Sequence, residues 1–77
     1  GIVSFIKEIA PVEVAVLLKE LTNDEIKISM RSKKLIDVSK ICSNFGGGGH
    51  IRASGCTIIT SLSNAEELII NELKKVF

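Results

Sequence analysis

Residues 44–55, NFGGGGHIRASG, carry the densest chemical signal in the chain. Gly46, Gly47, Gly48 and Gly49 present peptide units without side chains, and His50, the only histidine, follows at once. A backbone this bare lets a ligand touch the main chain. Successive N–H groups in tight turns form concave anion sites. The natural occupant is a phosphate or a carboxylate, with His50 as a donor at the rim. The competing reading is a turn that needs several unusual backbone angles; four glycines in succession favour the ligand. Arg31 is the second candidate, because a guanidinium grips phosphate through two parallel hydrogen bonds. It closes an alternating run beside Ser29, where the competing reading is a solvated strand-edge arginine.

The remaining residues exclude several chemistries. No carboxylate pair, metal-ligand cluster or partnered nucleophile stands at a useful spacing. The glycine run lacks G-x-x-x-x-G-K-[ST] and follows a helix-like stretch, so it is neither a P-loop nor a Rossmann fingerprint. Three Phe with no Tyr or Trp argue against stacking along a long single strand. Cys42 and Cys56 lack metal-ligand spacing and are expected to be buried as small apolar residues. Net charge is only +1, but from Arg31 to Arg52 five basic residues face a single acid, Asp37. That local excess points to an anionic partner at one place.

The elements that must hold these residues follow from periodicity. At 77 residues there is room for one small domain and not for both a core and a deep catalytic cleft. Ile2, Phe5, Ile6 and Ile9 fall at helical spacing and predict a helix that Pro11 ends. Val12, Val14, Val16 and Leu18 alternate, as do Ile26, Ile28 and Met30. With TNDE at 22–25 between them they predict an antiparallel hairpin. Asp37 caps a short helix with the stripe Val38, Ile41, Cys42 and Phe45, which the glycines stop. A strand over 53–59 follows, with Gly55 marking a close approach. A last helix has a capping box at Ser63 and Glu66 and the apolar residues Leu68, Ile69, Leu73, Val76 and Phe77. The expected class is α+β, a small mixed sheet of about three strands with helices in the order α-β-β-α-β-α. No run reaches the ~18–20 apolar residues of a membrane span.

FGGGGHIRASGCTI, from Phe45 to Ile58, resembles the Gly-Gly-Gly-His-x-x-Ala-Ala-Gly motif of the DHH-associated domain. That domain follows the catalytic half of DHH-type phosphoesterases. ISMRSKKLIDVSKIC, from Ile28 to Cys42, is similar to the Ser-x-Arg-Ser strand and next helix of the family's oligoribonuclease/pAp-phosphatase branch. (pAp is adenosine 3′,5′-bisphosphate.) VAVLLKEL resembles the preceding strand. Ser54 departs from the motif's usual alanine, and the Asp-His-His half that binds the metals is absent from the sequence.

The resemblance implies a substrate-binding domain over 1–77, read as the C-terminal piece of a longer phosphoesterase. Gly47, Gly48, Gly49 and His50 carry over as substrate contacts, and so do Arg31 and Ser32. Gly46, Ala53, Ser54 and Gly55 complete the candidate set. No catalytic residue and no metal ligand is assigned; manganese is expected in the catalytic half. The implied partners are a short RNA or small phosphorylated nucleotide, pAp and cyclic dinucleotides included, and the chain's own DHH catalytic domain. A cytoplasmic setting is expected, without membrane contact, and a homodimer is left open. The alternatives are a non-catalytic nucleic-acid module, like the relatives that end alanyl-tRNA synthetases, and an interaction domain whose glycine loop is only a turn.

Overall fold

The computed structural model describes residues 3–9, 14–33 and 36–75. The elements run β1 (Val3–Ile9), β2 (Val14–Thr22), β3 (Glu25–Ser32), α1 (Val38–Ser43), β4 (Gly48–His50), β5 (Ala53–Ile58) and α2 (Leu62–Lys74). Five strands form one sheet in the order β1-β2-β3-β5-β4. Every neighbouring pair is antiparallel. The class is α+β, as the sequence indicated. The sheet is larger than expected, and antiparallel throughout rather than mixed.

The opening stretch is a strand and not the predicted helix. A short apolar run satisfies both periods, and the β-branched Val3, Ile6 and Ile9 suit a strand. The edge of β2 settles the matter, since β1 pairs with it from Val3↔Glu20 to Ile9↔Val14. Pro11, expected to end the helix, and Val12 lie outside the described residues.

The β2–β3 hairpin turns at Asn23–Asp24, within the predicted turn cluster. Carried through without a bulge, the Thr22↔Glu25 pair would set Val16 opposite Arg31 and throw the two apolar rows onto opposite faces. The register instead shifts between Glu20 and Thr22, leaving Leu21 as the extra residue. One bulge residue restores Val16↔Met30 and Leu18↔Ile28. The hydrophobic pattern thus dictates the irregularity.

Both helices cover one face of the sheet. Val14, Val16, Leu18, Ile26, Ile28, Met30 and Cys56 meet Val38, Ile41, Cys42, Ala65, Ile69 and Leu73 in a single core. Asp37 caps α1 as expected, accepting from the Ser39 and Lys40 amides at 2.9 and 3.3 Å and from the Ser39 hydroxyl. The cap of α2 is Ser61, which accepts from the Asn64 amide at 3.2 Å, and not Ser63. The helix begins at Leu62, which places Ser63 inside it. Val76 and Phe77 lie outside the described residues. Cys42 and Cys56 are free, buried thiols. The hydrogen bond with Cys42, and then burial, push the Cys56 thiol well above its ordinary range.

Candidate functional site

Directly paired residues of an antiparallel sheet carry their side chains on the same face. The registers therefore sort the candidates. Arg31 pairs with Ala53, and Ala53 with His50. Ser29 pairs with Gly55, and Gly55 with Gly48. These six positions share the face without helices, because the intervening Ile28, Met30 and Cys56 point into the core. Arg31 and His50, both exposed, sit two strands apart, about 10 Å between backbones. Only the Ala53 methyl stands between them. Next to that row Ser29, Gly55 and Gly48 form a floor with a single hydroxymethyl group. The strand of Arg31 lies beside the strand that starts at Ala53, and the end of the glycine run forms β4 on the far side of β5.

The glycines divide by what the fold asks of them. Gly46 has φ +79° and ends α1: its amide donates to Ser43 at 3.1 Å, and that of Gly47 to Cys42 at 3.0 Å. This bond pair with a left-handed residue is a Schellman motif. At Gly47 a Cβ would meet the Gly55 carbonyl oxygen and lie 2.6 Å from the Cys56 Cβ. At Gly49 φ is +143°, and a Cβ would lie 2.7 Å from the Ala53 carbonyl oxygen. Gly48 is different. It has no left-handed φ, and a Cβ there would meet nothing within 4 Å. The fold has no use for a glycine at 48, and the position opens onto the face shared by Arg31 and His50. Backbone angle and close packing thus explain three of the four glycines, which narrows the ligand argument to Gly48.

The β4–β5 hairpin is pinned from outside. The Ser32 amide donates to the Arg52 carbonyl at 3.0 Å, and the Val38 amide to the Ile51 carbonyl at 2.9 Å. Both bonds tie the turn to the end of β3 and the start of α1, fixing the row of Arg31, Ala53 and His50. Ser54 lies on the core side, paired with Met30, and its hydroxyl donates to the His50 carbonyl at 2.6 Å. It positions His50 and does not face the open floor. Ser32 also leaves the shared face: it pairs with Val14, and its hydroxyl donates to the Ile36 carbonyl at 2.7 Å. Arg31 and Ser32 are thus separated by the strand's alternation.

Lys19 and Lys27 pair directly on the open face, beyond Leu17 and Ser29, with Glu25 on the same side of β3 next to Lys27. A shallow pocket of about 300 Å³ there is lined by Ala15, Val16, Leu17, Ser29 and Arg31. A larger cleft of about 550 Å³ lies between α1 and α2, in the other layer. Its carboxylates are committed: Asp37 to the α1 cap, Glu72 to Lys75 at 3.4 Å. Nothing in that cleft involves Arg31 or the glycine run. Among the described residues no group of three His, Cys, Asp or Glu side chains could hold a metal ion. No helix among them is long and apolar enough to cross a membrane.

The profile of the DHHA1 domain matches residues 1–77. The chain belongs to the DHHA1 domain family. Bifunctional oligoribonuclease and PAP phosphatase NrnA of Mycoplasma genitalium is 35% identical over 74 residues, 96% of this chain and 23% of that protein. Oligoribonuclease NrnB of Bacillus subtilis is 49% identical over 39 residues, 40% of this chain and 10% of that protein. This DHHA1 domain therefore spans under a quarter of either relative. In it the glycine–histidine motif is a cap, a strand and a hairpin built on one another. Sequence reasoning missed the shared face of Lys19 and Lys27 because that depends on the Leu21 bulge. The signal available was the mismatch between a two-residue turn and the two apolar rows.

Proposed function

We propose that this DHHA1 domain is the substrate-holding part of a phosphoesterase acting on short oligoribonucleotides or pAp. The open sheet face holds a phosphate between Arg31 and His50, over Gly48 and Ala53. The observation that carries this reading is the continuous register His50↔Ala53↔Arg31 beside a Gly48 that the fold does not need. A guanidinium supplies a planar fork to phosphate oxygens, and an imidazole supplies a donor from the opposite side. The small floor lets the anion approach the sheet. What the relatives' names say of oligoribonucleotides and PAP supports the same substrate class. Hydrolysis is assigned to a DHH half and its manganese, outside these 77 residues. Here the chain binds and orients.

Calorimetric titration of pAp into the chain tests this. His50→Ala and Arg31→Lys should each weaken binding by about tenfold, the value of one charge-assisted hydrogen bond. Ser32→Ala should bind as the parent does, since its hydroxyl serves Ile36. Equal affinity for all four proteins would refute the phosphate site. Tight binding of an unphosphorylated adenosine would do the same.

A further inference from the structure

Lys19 and Lys27 lie directly opposite each other on the open face. Like charges so placed repel and destabilise a strand pair. Among the described residues neither lysine forms an ion pair. Thr57, next in the same row, adds a hydroxyl through Lys27↔Thr57. Lys27 and Arg31 lie four positions apart along β3, about 13 Å of strand. Between them lies Ser29, with Leu17 on its β2 side and Gly55 and Gly48 on its other side, so the path runs open over β5 and β4. One phosphate cannot serve both ends, whereas a ligand with phosphates spaced along a chain can.

We propose that the Lys19–Lys27 pair is a second anion subsite, which takes a further phosphate of a single-stranded oligonucleotide lying along β3. This rests on the phosphate reading of Arg31 and His50. It adds a preference for ligands of more than one nucleotide. The repulsion within the lysine pair is relieved when the second phosphate arrives. The Lys19–Lys27 row then measures length, and the Arg31–His50 row anchors the end.

The test compares a 5′-phosphorylated trinucleotide with 5′-AMP on the 77-residue chain, over a series of salt concentrations. The trinucleotide should bind about tenfold tighter than 5′-AMP. Lys19→Gln with Lys27→Gln should abolish that advantage, leave 5′-AMP binding unchanged, and lower the salt slope by about 0.7 for each phosphate no longer neutralised. Lys40→Gln with Lys74→Gln removes the same charge from the helices, and should leave the advantage intact. Equal loss in that control would mean diffuse electrostatics and overturn the subsite. So would a wild-type trinucleotide no tighter than 5′-AMP, with the Arg31–His50 site left standing. Inorganic tripolyphosphate matching the trinucleotide would overturn the oligonucleotide assignment. Absence of 5′-AMP binding altogether would overturn the anchor site and the subsite together.

Discussion

At the scale of single residues, neighbouring glycines carry different burdens. A Cβ at Gly47 would press on the backbone and side chain of Cys56, with atoms at 2.6 and 2.7 Å. Gly47→Ala should therefore cost about 1–3 kcal/mol of stability through overpacking, read as a lower thermal midpoint. Gly48→Ala meets open space and should leave the midpoint nearly unchanged. Its effect should appear in nucleotide affinity, because the new methyl occupies the floor beside Gly55. Melting curves and pAp titrations on both variants separate the two roles. A Gly48→Ala protein that melts early and binds normally would return the whole glycine run to turn geometry. Arg31→Lys keeps charge but loses the planar fork, so its loss of affinity at unchanged midpoint distinguishes paired recognition from simple attraction.

At the scale of elements, the caps and hairpins set the site's rigidity. Ser61→Ala removes the α2 cap and should cost about 1 kcal/mol, lowering the midpoint by roughly 4–8 °C in a domain of this size. Ser63→Ala should do less, because Ser63 is already inside the helix. Asp37 is held below its ordinary value of 3.8, first by the Ser39 hydroxyl and then by backbone amides. A depressed carboxylate stabilises the fold above its unfolded value, and that contribution is lost as pH falls through the lower folded value. The α1 contribution should therefore be intact above about pH 4 and fade below it. A pH series of melting curves on Asp37→Asn, which should lack this acid-limb slope, checks the sign. The sequence alone showed the β2–β3 hairpin, the Asp37 cap and α1, because each rests on local periodicity and turn chemistry. The first strand stayed hidden because Ile2, Phe5, Ile6 and Ile9 fit a helix equally well, and only the free edge of β2 decided. β4 stayed hidden because glycine is a poor strand former; the Schellman turn and the pinned Ile51–Arg52 loop hold it in place. At the site, the sequence marked Arg31 and His50 but not their geometry. Ser32 and Ser54 looked like ligands by motif and fall on the other face by alternation.

At the scale of the whole molecule, the helices cover one layer of the sheet and leave the other open. The helices bury the Val14, Val16, Leu18, Ile26, Ile28 and Met30 face. The opposite face keeps Arg31, Lys27, Lys19 and His50, together with Glu25 and Leu17, around the small residues Ser29, Gly48, Ala53 and Gly55. Such a half-site should bind weakly, since a few hydrogen bonds barely exceed the cost of association. The chain incubated with manganese, pAp and dinucleotides should show no hydrolysis above blank; turnover in nuclease-free material would contradict the division of labour. The most direct test of the open-face site is an amide-shift titration of the labelled chain with pAp. Shifts should gather at Ser29, Arg31, Gly48, His50 and Ala53, and spare the turn at Asn23–Asp24. Shifts confined to the α1–α2 cleft, at Ile36, Lys40, Asn44 and Lys75, would place the ligand in the wrong layer and contradict the site.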